Sequence, residues 1–114
     1  MISRGCILYS VRYNKAVQYD LNTTEEFDVW LSRLDNTLKR RLANRFVQVM
    51  SGNFGDHKVI AANLFELRCF FGGGLRVYYT VRDNRIVLLL AGGDKSSQVR
   101  DIAKAAAMVN ELQG

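Results

Sequence analysis

The segment that most constrains the fold is residues 64–95, LFELRCFFGGGLRVYYTVRDNRIVLLLAGGDK. Its first two parts alternate apolar and polar residues with the period of a β-strand. Three glycines join these parts, and Asp83-Asn84 separates the second part from an apolar third part, so both connections suit tight turns. The segment therefore predicts three consecutive antiparallel strands. The third is apolar on both faces and should be covered on each side.

The alternation sorts the first two strands into an apolar face and a polar face. The residues expected on the apolar face are Phe65, Leu67, Cys69, Leu75, Val77, Tyr79 and Val81. The residues expected on the polar face are Glu66, Arg68, Arg76, Tyr78, Thr80 and Arg82. The polar face gathers arginines, a carboxylate and a phenol, and it is therefore the candidate site.

The chain before this segment predicts a short strand followed by a helix. Residues 16–21 alternate as a strand, and Thr23 with Glu26 has the spacing of a capping box, which begins a helix. The apolar residues that follow have helical spacing and include Trp30, which we interpret as a core residue.

Two more helices and a long loop complete the predicted elements. Residues 37–50 have the apolar stripe of a second helix, and residues 97–112 predict a third helix, capped by Ser96 or Ser97. Residues 52–63 are expected to form a loop, and loops of this length in a small domain are often functional.

This order of elements predicts an α+β fold, in which a helical hairpin packs on a mostly antiparallel four-stranded sheet with a C-terminal helix. The first strand should lie beside the third strand of the 64–95 segment. Residues 16–114 are expected to form a single domain, with residues 1–15 as an N-terminal extension or an added edge strand. Cys6 and Cys69 lack the spacing of a disulfide framework or a zinc site, so Cys69 is expected to act as a core residue.

The chain is basic, with 16 Lys and Arg against 11 Asp and Glu. Such a balance favours a polyanionic partner, because neutralised phosphates release condensed counterions. The second helix concentrates Lys39, Arg40, Arg41 and Arg45, which form either a solvated face or a surface for nucleic acid. The longest apolar run of the whole chain, residues 86–91, is far shorter than the roughly 20 residues that cross a bilayer. We therefore expect a cytosolic protein without a membrane partner.

Five fragments in a fixed order resemble a known family: FDVWLSRL, GNFGDHK, FELRCFFGGGLRVYY, LLLAGGDKSSQ and RDIAKA. Together they resemble the phage-derived addiction-module killer proteins, a HigB-like branch of the RelE/ParE toxin superfamily. The resemblance covers residues 17–111 and implies a RelE-like fold. It also implies a type II toxin, partnered by an antitoxin that is usually a helix-turn-helix protein. The activity implied is an endoribonuclease that cleaves messenger RNA on the ribosome and needs no cofactor.

The resemblance also implies roles for individual residues. Arg76 takes the position of an arginine that follows the glycine turn and contacts the scissile phosphate. Lys95 takes that of a basic residue after the last strand, and Arg68 approximates one on the preceding strand. A second basic residue of the family on that strand corresponds to Glu66, so this chain lacks a positive charge at that position. The superfamily often uses a histidine or tyrosine near its C-terminus for proton transfer, and this chain has no histidine after His57 and no tyrosine after Tyr79.

These residues suit RNA cleavage in which the 2′-hydroxyl attacks the neighbouring phosphate. Arg76 is the first choice to stabilise the charge on that phosphate, with Arg68 and Lys95 beside it. The general base is either Glu66, which its arginine neighbours would weaken, or His57, whose imidazole titrates near neutral pH. Tyr78 is an acid, a platform for stacking bases, or a filler of the face. The residues expected to contact RNA elsewhere are Lys39, Arg40, Arg41, Arg45, Lys58 and Arg82.

Two other functions stay open at this point. The chain could be a toxin without nuclease activity that inhibits DNA gyrase by protein contact, as on the ParE side of the superfamily. It could also be an inactive phage-derived remnant that binds only its antitoxin.

Overall fold

The computed structural model describes residues 18–113 as a single sheet with helices on both faces. The strands are β1 Asp20–Thr23, β2 His57–Ala61, β3 Leu64–Arg68, β4 Arg76–Arg82 and β5 Ile86–Gly93. The helices are α1 Glu25–Ser32, α2 Asn36–Met50 and α3 Gln98–Gln113, with a 3₁₀ turn at Lys95–Ser97. The strand order is β1-β5-β4-β3-β2. The predicted α+β fold with a helical hairpin and a C-terminal helix is confirmed.

The antiparallel β3-β4-β5 meander is also confirmed, with Glu66 opposite Tyr78 and Arg68 opposite Arg76. The strand β1 pairs with β5, as expected from the apolar character of β5 on both faces, and it runs parallel to β5. Three consecutive glycines close the β3-β4 connection, with φ values of 62°, 75° and 80° at residues 72, 73 and 74. Residues that carry a side chain rarely adopt this backbone conformation, which explains the run of glycines.

The sheet has five strands rather than the predicted four, because the expected loop at residues 52–63 contains β2. β2 pairs with β3 through a turn in which Asn63 has a φ of 56°. Four of its five side chains are exposed, since it is an edge strand, so the apolar alternation that marks a buried strand is absent.

The first strand and first helix begin later than predicted. The predicted strand at 16–21 is described only from residue 18, and β1 begins at Asp20 and includes Thr23. Thr24, not Thr23, caps α1: its hydroxyl oxygen accepts a 3.0 Å hydrogen bond from the Phe27 amide and donates one of 2.7 Å to the Leu90 carbonyl. The predicted extension at residues 1–15, together with Cys6, lies outside the described residues.

A 3₁₀ turn capped by Asp94 separates β5 from α3. The Asp94 carboxylate accepts hydrogen bonds from the amides of Ser96 and Ser97, and these bonds hold the pKa of the Asp94 carboxyl below its usual range. No helix in the described part of the chain has the length and apolar character needed to cross a membrane.

Each face of the sheet carries its own core. The helices α1 and α2 cover the predicted apolar face, where Trp30 is partly buried and its ring centroid lies 5.5 Å from that of Phe27. α3 covers the other face over Tyr78 and Leu90. A bulge between β4 and β5 places Leu90 and Ala91 together on the α3 side. Cys69 is buried as predicted, and its burial raises the pKa of the thiol.

We predict that Gly92→Ala destabilises the protein. A Cβ at Gly92 would overlap the ring of Trp30, and overpacking of this kind costs about 1–3 kcal/mol. Chemical denaturation should measure the loss in the free energy of unfolding. In a double-mutant cycle with Trp30→Leu, the cost of the Gly92 change should shrink, because the smaller side chain makes room. Additive costs in that cycle would contradict this packing explanation.

Candidate functional site

An open cavity of about 350 Å³ lies where the glycine turn approaches the 3₁₀ turn at one end of the sheet. Its lining residues are Asp56, Arg68, Cys69, Phe70, Gly74, Arg76 and Lys95. Arg68 ends β3, Arg76 begins β4 directly opposite, and Lys95 follows β5. The three cations that the sequence analysis grouped together therefore line one cavity.

Arg76 is the most enclosed of these cations, with 14% of its side chain exposed. Its Nη1 donates a 2.8 Å hydrogen bond to the carbonyl of Gly74, and its Nε lies 3.6 Å from Oε2 of Glu66. That distance is too long for a hydrogen bond but keeps opposite charges together. The guanidinium is thus held between the glycine turn and a carboxylate, at the wall of the cavity.

Behind Arg76, the polar face is covered by α3 instead of being open. Glu66 is 1% exposed, and its Oε2 accepts a 2.8 Å hydrogen bond from Nε2 of Gln98. Tyr78 is fully buried, and within the described chain its hydroxyl has no hydrogen-bond partner. Burial and the Glu66 carboxylate raise the pKa of Tyr78 above its usual range. Neither side chain reaches the lining of the cavity, although both share a face with Arg76 as predicted.

Asp56 supplies a carboxylate to the cavity that the sequence analysis did not single out. Its Oδ1 accepts hydrogen bonds from Nε and Nη2 of Arg68, at 3.2 and 2.9 Å, and 28% of its side chain is exposed. Its backbone carbonyl also accepts a 2.9 Å bond from the amide of Arg68. The one sequence signal was its place in the GNFGDHK fragment, directly after a glycine.

Lys95 is exposed at the rim of the cavity. Among residues 18–113 no carboxylate lies within ion-pair distance of its ammonium group. Its charge is therefore available to an anion from solvent, whereas Arg68 and Arg76 already have carboxylates beside them.

Three other predicted residues lie away from the cavity. His57 is opposite Leu67, which puts its imidazole on the α2 side of the sheet, where its ring centroid is 5.9 Å from that of Phe54. Lys58 is opposite Glu66 and is exposed at the sheet edge. Arg82 is exposed at the far end of β4, about 20 Å from Arg76 at the usual rise of a strand.

A comparison of sequences shows a close relative of this chain. No family model matches it, but an uncharacterized protein of Haemophilus influenzae is 43% identical over 93 residues. The aligned part covers 81% of this chain and 94% of that protein. The chain therefore belongs to the same family as the Haemophilus protein.

Solved structures identify the fold. A mutant of the E. coli toxin RelE in the free state matches with a TM-score of 0.62 at 20% identity, covering 82% of this chain and 99% of the toxin chain. The archaeal RelE-RelB complex from Pyrococcus horikoshii OT3 gives 0.55 at 15% identity, covering 69% and 97%. The chain has the RelE toxin fold. The resemblance to the RelE/ParE superfamily is confirmed at the level of fold, and the HigB-like branch stays a prediction.

On this RelE fold, the basic residues of α2 have different surroundings. Lys39 is partly exposed and Arg40 is exposed. Arg41 places its guanidinium carbon 4.3 Å from the ring centroid of Phe71, a cation–π contact. α2 packs on the face opposite α3, so these three cations lie on the other side of the sheet from Glu66.

Arg45 differs from its neighbours on α2 because its guanidinium makes hydrogen bonds within the protein. It donates hydrogen bonds to the carbonyls of Phe54, Asp56 and Arg68, at 2.8, 3.2 and 3.2 Å. These bonds tie the segment that carries Asp56 to the end of β3. Arg45 therefore positions two residues of the cavity and offers little free charge to RNA.

We predict that Arg45→Met destabilises the protein while Arg40→Met does not. The first change removes the guanidinium hydrogen bonds of three partly buried carbonyls, of which the Asp56 carbonyl keeps the Arg68 amide as donor. Each buried acceptor that is left unsatisfied costs about 1–3 kcal/mol, whereas exposed substitutions usually change stability by less than about 0.5 kcal/mol. Both variants lose one charge from the same helix, so the pair separates structure from net charge. Thermal and chemical unfolding would measure the difference, and equal stabilities would refute the role given to Arg45.

Proposed function

We propose that this protein is the toxin of a type II toxin-antitoxin system, an endoribonuclease that cleaves messenger RNA on the ribosome in the cytoplasm. The observation that supports this most directly is the cavity at which Arg68, Arg76 and Lys95 converge on a RelE fold. The matched E. coli and Pyrococcus proteins include complexes of RelE with RelB, which supports a cognate antitoxin as partner, and we propose a helix-turn-helix protein.

In the proposed reaction, the 2′-hydroxyl of one nucleotide attacks the adjacent phosphorus. A 2′,3′-cyclic phosphate forms, the bond to the 5′-oxygen breaks, and that oxygen takes a proton from water and leaves as a hydroxyl. Negative charge builds on the non-bridging oxygens during the attack, so fixed cations accelerate it. Arg76 is suited to bind these oxygens because its guanidinium stays charged and Glu66 holds it at the wall of the cavity. Lys95 adds an exposed residue with an ammonium group at the same cavity.

We assign the proton acceptor to Asp56 in place of the two residues predicted from sequence. Asp56 is the carboxylate that lines the cavity, whereas Glu66 is buried beneath α3 and His57 points to the other side of the sheet. A general base must come within hydrogen-bond distance of the proton it removes, and only a residue at the lining meets that condition. Arg68 orients the Asp56 carboxylate through two hydrogen bonds.

Glu66 and Tyr78 then act on the site indirectly. The carboxylate of Glu66 fixes the guanidinium of Arg76, and the Tyr78 ring fills the space beneath α3. The surface cations Lys39, Arg40, Arg41 and Lys58, of which Lys39 is only partly exposed, are proposed to contact RNA or ribosomal phosphates. Each neutralised phosphate favours binding by counterion release.

We predict that Lys95→Ala and Arg76→Lys each lower the cleavage rate by roughly 100- to 1,000-fold, the effect of removing one positioned donor to a developing oxyanion. The rate is that of 5′-hydroxyl fragments released from a message in a translation extract. Arg82→Ala is the matched control, because it removes a cation from the same face of β4 at its far end, and it should cleave as the parent does.

Arg76→Lys is preferred to the alanine variant because it leaves Glu66 with a positive partner. Circular dichroism should confirm that all three variants fold. If folded Lys95→Ala and Arg76→Lys proteins cleave at the parental rate, the cavity is not the site of reaction.

Replacing Asp56 by asparagine should lower cleavage by at least about 100-fold, because the amide cannot accept the proton of the 2′-hydroxyl. The asparagine oxygen can still accept the Arg68 hydrogen bonds, so the geometry is kept. His57→Ala should cleave at the parental rate in the same assay. The opposite ranking of these two variants would return the role of base to the histidine.

A toxin that inhibits DNA gyrase by contact, without nuclease activity, is the second candidate. The burial of Tyr78 and Glu66 favours it, because neither can exchange a proton with substrate in this arrangement. A supercoiling assay with purified gyrase separates the two functions, because a ribonuclease should leave gyrase activity unchanged.

An inactive phage-derived remnant is the third candidate. It requires that induced expression be harmless to the cell with or without the antitoxin.

A further inference from the structure

Two adjacent phenylalanines at the glycine turn have opposite surroundings. Phe71 packs against the core and receives the guanidinium of Arg41 on its ring. Phe70 is 87% exposed, more than any other large hydrophobic side chain in the described part of the protein. A phenyl ring this exposed contributes very little burial to the fold, so packing does not account for its place beside the cavity.

The backbone that carries Phe70 is closed by hydrogen bonds. The amide of Cys69 donates to the carbonyl of Leu75 at 2.9 Å, and the amides of Gly74 and Leu75 donate to the carbonyl of Phe71 at 3.2 and 3.1 Å. These bonds lie on both sides of Phe70 and fix the direction in which its Cα presents the ring. Little backbone entropy is then lost when a partner binds there.

Phe70 also lines the cavity that contains Arg68, Arg76 and Lys95. A phosphate in this cavity is joined to a nucleobase through a single sugar, so its base must lie near the rim. We propose that Phe70 is the platform on which the base next to the bound phosphate stacks. This inference rests on the proposed ribonuclease function and adds a residue that positions the strand.

The surroundings favour single-stranded RNA over an apolar protein segment as the occupant. The lining around Phe70 contains three cations and one carboxylate, an excess of positive charge that attracts a polyanion. An exposed aromatic ring beside a cationic groove is the usual arrangement for binding single strands, and it accepts any base, because every base has a π-face.

The test uses the full-length protein and a short RNA that carries 2-aminopurine, whose fluorescence falls on stacking. The RNA is 2′-O-methylated, so it binds but cannot be cut. Phe70→Leu should weaken binding roughly 5- to 150-fold, the range expected for one lost base–aromatic stack. It should also abolish most of the quenching. Phe70→Trp should bind and quench at least as strongly as the parent.

Val99→Ala is the matched control, because Val99 is 85% exposed in the first turn of α3 and does not line the cavity. It should bind as the parent does. If Lys95→Ala weakens RNA binding but Phe70→Leu does not, the cavity binds RNA and the stacking role is wrong. If the parent neither binds nor cleaves RNA, both the ribonuclease function and the stacking role are overturned. Loss of antitoxin affinity in Phe70→Leu with RNA binding unchanged would instead assign the ring to the protein partner.

Discussion

The contact on which the site depends is the buried pair of Glu66 and Arg76. Three elements meet there: β3 supplies the carboxylate, β4 supplies the guanidinium, and α3 supplies Gln98, which donates to the same carboxylate oxygen. Buried ion pairs add little net stability, because desolvation offsets the attraction, but losing one partner leaves an uncompensated charge. The pair therefore specifies geometry more than it stabilises the fold. It determines that the guanidinium faces the cavity.

Much of the fold follows from local patterns in the sequence, and the errors have physical causes. The alternation within residues 64–95 correctly predicted the meander, because each strand buries one apolar face. β2 was missed because it is an edge strand held by backbone pairing with β3, and its exposed side chains need no pattern. The cap moved from Thr23 to Thr24 because the Thr24 hydroxyl also bonds the distant Leu90 carbonyl, a tertiary contact that no local spacing reveals.

The site was predicted less completely than the fold. A period of two correctly placed Arg68, Arg76, Glu66 and Tyr78 on one face, since strand geometry alone decides this. The period could not show that α3 covers Glu66 and Tyr78 and leaves the two arginines at the cavity. Asp56 was missed because the hydrogen bonds of Arg45 and the backbone of Arg68 bring it to the cavity, and these contacts cross long stretches of sequence.

The placement of Gln98 and Lys95 after β5 has a consequence for synthesis. Both residues follow every strand of the sheet along the chain, and β1 finds its partner only when β5 has been made. Contacts this distant in sequence form late. In a nascent chain whose α3 has not yet been synthesised, Glu66 is uncovered and lacks its hydrogen bond from Gln98. The carboxylate beside Arg76 therefore acquires its α3 partner only after all five strands of the described sheet have been made.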